Sequence, residues 1–154
     1  MNNLTKGFLA GAAGGVVGAG FKLICEAIVP PRPPGREAPP VLLVSHLLEK
    51  YKGHPLPEAN TLPTTQAIHW SFSVLAGGLY GALAESVPLV TTGGGSVFGA
   101  LLWAGAHQAA LPALDLSPSV PALPVSEQIN ESLTHSLYGI VVEQIRRTVR
   151  KRLE

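Results

Sequence analysis

Six ionisable side chains stand inside stretches otherwise rich in Gly, Ala, Val and Leu: Lys22, Glu26, His69, His107, Glu131 and His135. Lys22 with Glu26, and Glu131 with His135, are spaced i, i+4, so each pair shares one helical face. Three kinds of chemistry suit these types. The pairs can act as buried polar networks that lock helices together. Imidazole titrates near neutrality, so a histidine coupled to Glu26 or Glu131 can answer to protons. Glu131 and His135 also set two metal ligands on one face, with His69 and His107 as third and fourth ligands for a divalent metal or haem. The residues leave all three open. His46 and His54 lie in a polar connector and read as solvated.

The segments that hold these groups are long and apolar. Residues 7–31, GFLAGAAGGVVGAGFKLICEAIVPP, run 23 residues before the first proline, about 34 Å as helix, enough to cross a bilayer core with some tilt. Gly7, Gly11, Gly14, Gly15 and Gly18 repeat GxxxG, and the same face leads on to Lys22 and Glu26. A glycine groove ending in opposite charges is costly in lipid, so this face should look inward at other helices. Gly11, Gly15 and Gly18, with Gly95 and Gly99 further on, are the expected packing positions. Lys22, Glu26 and the VPPRPP that follows argue against a cleaved signal peptide.

Spans are expected at about 7–29, 66–88, 92–112 and 126–146, with Pro-rich connectors at 30–40 and 113–125 and an amphipathic helix at 41–53 too short to span. The fourth span is the weakest, since it contains Glu131, His135 and Glu143; alone it reads as a partly buried or surface-lying helix. Two phrases recur. YGALAE (80–85) and YGIVVE (138–143) lie 58 residues apart, and GAGFKLICEAIVPP (18–31) aligns with GALLWAGAHQAALP (99–112) at 81. The expectation is one all-α domain over 1–154, a four-helix transmembrane bundle of two repeated helix pairs plus the short amphipathic helix.

At the far ends of these phrases, Glu85 and Glu143 are expected to pair with Arg146 and Arg147 at the membrane interface, where the basic tail meets anionic lipid. Lys6 and five basic residues of the tail outnumber Arg32, Arg36, Lys50 and Lys52 of the first connector by six to four. Both termini are therefore placed in the cytoplasm.

Charged residues are 14% of the chain, against roughly 25% in soluble domains, and the net charge of +1 offers no field for nucleic acid. The expected partners are the bilayer, a further copy of the chain or another membrane protein. The single cysteine, Cys25, excludes an internal disulfide, a CxxC pair and a Cys-rich zinc site, and its span makes it a buried thiol. No nucleophile elbow, phosphate loop or HExxH is present, so no enzyme is expected and no cofactor is required.

FKLICEAIVPPRPP, HWSFSVLAGGLYGALAE, WAGAHQAALPALDLSP and ESLTHSLYGIVVEQIRR resemble the signatures of the YagU-like bacterial inner-membrane proteins. The resemblance covers all four spans and departs in the first connector. It implies a multi-pass inner-membrane location, no known enzymology and a loose link to acid-stress survival. The resulting reading is a structural or accessory membrane component, with a proton-responsive or conducting protein and a metal or haem protein as alternatives.

Overall fold

The computed structural model describes residues 1–31, 35–118 and 120–154. Arg32, counted above for orientation, and the centre of the connector 30–40 lie outside the described residues. Every regular element among the described residues is helical.

Helix α1 (Asn3–Ile28) begins where the Asn2 side chain accepts the Thr5 amide at 2.8 Å, and it ends at Val29 before the prolines. Helix α2 (Pro39–Lys52) opens on Pro-Pro and stops at Gly53, whose φ of 76° is the left-handed cap. Helix α3 (Thr61–Ser86) starts five residues before the expected span. Pro63 sits in the first turn, where its missing N–H has no helical partner to lose. The third span is interrupted. Residues 88–95 form tight 3-10 turns in which Gly93, Gly94 and Gly95 all have positive φ, and α4 runs only from Ser96–Trp103. Its continuation, Ala104–Ala110, widens into π-helix before a last turn at Leu111–Ala113. Helix α5 (Val125–Arg152) extends six residues past the expected end, so the basic tail is helical.

Three helical stretches, Asn3–Ile28, Glu58–Ser86 and Pro88–Ala113, are long and apolar enough to cross a membrane. Helix α5 has the length without the composition. It is built inside out: Glu131, Thr134, His135, Glu143 and Arg146 are buried, while Ile129, Leu133 and Leu137 face outward. Ser132 and Ser136 satisfy their hydroxyls on the carbonyls of Ile129 and Ser132 of their own helix. The wider surface follows the same rule, with Ile24, Leu75, Leu79 and Leu101 all more than half exposed. Such a surface suits lipid. The chain is expected to stay with membranes through a high-salt or alkaline wash and to leave them only with detergent; recovery in the washed supernatant would contradict this fold as a membrane fold.

Helix α1 is the centre of the packing. Gly7, Gly11 and Gly15 lie against the backbone of Ser73, Gly77 and Gly81 of α3, while Gly14 and Gly18 take Val142 and Tyr138 of α5. Gly95 and Gly99 approach Gly139 and His135 of α5 just as closely. Only hydrogen at these positions lets the backbones meet. Around the bundle the order is α3, α1, α5, α4. Between α3 and α4 an apolar groove of about 650 Å³ remains, lined by Phe72, Leu75, Leu79, Val97, Phe98 and Leu101, with Tyr80 and Phe98 stacked at 4.2 Å. Helix α2 rests on α3 at the end away from the termini; Val41 is buried, Leu42, Val44 and Leu48 are half-buried, and Leu47 and Tyr51 are exposed.

Candidate functional site

The polar cluster forms where α1, α5 and the π-helical stretch converge. One turn separates Lys22 from Glu26 on α1, and the two side chains pair. One turn separates Glu131 from His135 on α5. Lys22 Nζ also reaches Glu131 Oε2 at 3.5 Å, His135 Nδ1 lies 3.5 Å from the same oxygen, and His107 Nε2 lies 4.0 Å from it. Glu131 is thus the hub, touched from three directions. The two imidazoles stand edge to face, centroids 4.9 Å apart. Glu131 is 4% exposed, and Lys22 and His135 are 7% exposed. His135 Nδ1 is 2.8 Å from the Glu131 carbonyl. A carbonyl oxygen only accepts, so this nitrogen carries the proton and Nε2 keeps its lone pair.

His107 reaches the cluster because the helix beneath it widens. At about 100° per residue, an α-helix would carry position 107 roughly 80° round from Gly99, off the face that meets α5. Bonding from i to i+5 turns about 82° per residue, and four such residues take back roughly 70°. The Leu111 amide donates to the Ala106 carbonyl in that wider register. Short π segments are frequent at functional sites.

Of the six expected residues, Lys22, Glu26, His107, Glu131 and His135 come together. His69 stands apart: its Nε2 donates to the Ala19 carbonyl of α1 at 3.4 Å, and its ring packs edge-on to Trp70. His107, Glu131 and His135 alone place ligand atoms within 4.8 Å of one another among the described residues.

A pocket of about 330 Å³ opens from the end of the bundle away from the termini and reaches His107 and Glu131. Arg36, Trp103, Asp115 and Glu127 line it, and Arg36 Nη1 spans it to both Glu127 oxygens at 2.6 and 2.8 Å. No sequence signal marks this strap: Arg36 sits in a proline-rich connector and Glu127 in the first turn of α5, with no periodicity linking them.

The opposite end is a second ionic knot. Fully buried Glu143 accepts from Tyr80 Oη at 2.8 Å, Arg146 at 2.6 and 2.9 Å and Arg147 at 2.6 Å. Glu85 accepts from Arg150 at 2.9 and 3.0 Å, and Arg146 stands 3.9 Å away. Arg150 also reaches Asn3 at 3.4 Å, so both chain ends meet here. Tyr80 and Arg150 are the additions to the expected set. A sequence signal existed for Tyr80, since it opens the phrase that Glu85 closes. Between the two ends the interior is Ala10, Gly11, Gly14, Gly15, Ala19 and Val142 in close contact, with the Tyr138 hydroxyl donating to the Ser73 carbonyl at 3.1 Å.

A family model described as a protein of unknown function (DUF1440) matches residues 16–144, a stretch that includes all five residues of the cluster. No curated protein and no solved structure matches the chain.

Proposed function

From the premise that the chain belongs to the DUF1440 family of proteins of unknown function, we propose that it is a four-span inner-membrane protein that takes up a cation at the Glu131 hub from the side opposite its termini. The observation that carries this is the pocket ending on His107 and Glu131, with glycine-packed backbone beyond it. Donor chemistry supports it: Lys22, His107 and His135 all converge on one buried carboxylate, Glu131, and a buried ionisable cluster in a lipid-surrounded bundle is a candidate ligand site. Because the polar route among the described residues stops at the cluster, the proposed role is that of a sensing or accessory component and not of a conduit. The termini lie on the cytoplasmic side in this reading, which places the pocket outside. Membership of the YagU-like group belongs to the same reading, and its link to acid stress fits, since protons and metal ions compete for the same imidazoles.

The architecture is read as two repeated helix pairs. Gly81 lies on Gly7 and Gly11 as Gly139 lies on Gly95 and Gly99. That pairs α3 with α5 at 58 residues, as the sequence does, and α1 with α4 at 88, two helical turns from the alignment at 81.

Single cysteines in a Cys25→Ser background test the sidedness. A membrane-impermeant maleimide added to intact spheroplasts is expected to label Gln108→Cys in the pocket, and Lys151→Cys only after the membrane is opened. Labelling of Lys151→Cys alone, or of both alike, would overturn the proposal.

A further inference from the structure

We propose that His107, Glu131 and His135 are the ligands of a divalent transition metal of the zinc class, entering through the pocket. This deepens the cation-site reading and rests on it. Two imidazoles and one carboxylate are a donor set that suits zinc, cobalt, nickel or copper over magnesium or calcium. One nitrogen of each imidazole and a Glu131 carboxylate oxygen already lie within 4.8 Å of one another. Bonds of 2.0–2.2 Å at tetrahedral angles need about 3.4 Å between ligand atoms. Side-chain rotation that presents His135 Nε2 to the other two ligands has to close that gap.

The surroundings match what a metal site needs. The His135 proton is committed to the Glu131 carbonyl, the backbone partner that commonly fixes a ligating imidazole's tautomer and leaves the other nitrogen for the metal. The π-helical stretch is what turns His107 to face the other two. The pocket meets the site at His107 and Glu131, which leaves the fourth position to water or an anion.

Lys22 is the competitor. Its ammonium is 3.5 Å from Glu131 Oε2 but pairs more closely with Glu26. Metal binding hands that Glu131 oxygen from Lys22 to the metal and leaves the Lys22–Glu26 pair intact. Lys22 therefore lowers the affinity of the site, a role with an unusual consequence: removing it should strengthen binding. His69 stays on Ala19 and is not one of the three residues whose ligand atoms come together.

The test uses tag-free full-length protein in mild detergent, stripped with a chelator and titrated with Co²⁺, whose visible spectrum reports tetrahedral nitrogen and oxygen ligation. One Co²⁺ per chain with a tetrahedral band is expected, displaced by Zn²⁺. His107→Ala, at the half-buried edge of the cluster, should weaken binding about tenfold or more while keeping the wild-type elution volume. His69→Ala should change nothing. Lys22→Met with Glu26→Gln, which removes the competitor and its partner together, should tighten binding about tenfold. A blank titration of the wild-type protein, or cobalt binding indifferent to His107→Ala and to the Lys22/Glu26 variant, overturns the metal site. Either result leaves the maleimide outcome standing, so failure here is separable from failure of the one-sided cation site.

Discussion

Gly11→Ala, the addition of one methyl group, is expected to cost this protein its packed bundle. A Cβ there falls on the carbonyl oxygen of Gly77 and 2.8 Å from the Gly81 Cα. Neither atom belongs to a side chain that can turn away. Helices α1 and α3 must separate, and the Gly15 contact one turn on is lost with them. Overpacking an ordinary core costs roughly 1–3 kcal/mol, and backbone against backbone puts this site at the upper end or beyond. Gly20→Ala, on the same helix, is the control: its nearest neighbour is the Trp70 ring at 3.6 Å, ordinary contact distance, and the variant should behave as wild type. Fluorescence-detected size exclusion after a heating series in mild detergent reads both. If the two variants melt together, the glycine faces do not set the stability of the bundle.

The second large effect is expected at Glu143. Its carboxylate has no exposure and accepts from Tyr80, Arg146 and Arg147. Glu143→Leu takes from the buried Arg146 guanidinium its two close hydrogen bonds and leaves it only the longer 3.9 Å contact with Glu85 as counter-charge. Breaking a buried pair from one side costs about 3–5 kcal/mol. Replacing both partners, Glu143→Leu with Arg146→Leu, should recover much of that, because no lone charge is left behind. Arg147→Ala removes a side chain that is 49% exposed and should cost within about 1 kcal/mol. The same heating series checks the order: the single Glu143 variant lowest, the double variant between it and wild type, Arg147→Ala near wild type. Equal melting of Glu143→Leu and Arg147→Ala would show that burial adds nothing to this knot.

Much of this was legible in the sequence, for one reason: a helix imposes a local period. Lys22 and Glu26, or Glu131 and His135, are one turn apart wherever the helix lies, so their pairing needs no tertiary information. The glycines of α1 likewise share faces by spacing alone, and long apolar runs announce their solvent. The polar side of α5 was readable too, as the same period puts Glu131, His135 and Glu143 on one flank.

The tertiary structure decided what the period cannot carry. His69 and His107 look alike in sequence, each near the end of an apolar span, yet only His107 joins the cluster. A π register over Ala104–Ala110, which the i, i+3/i+4 period of the sequence does not announce, turns His107 inward. Helix α1 meanwhile offers His69 a backbone carbonyl instead. Arg36 crosses to Glu127 over 91 residues of chain, from a connector whose prolines and glycine carry no repeat. The sequence alone determined which residues share a helix face, because backbone hydrogen bonding is local; which faces meet, and which histidine arrives, followed only from how closely glycine lets the helices approach.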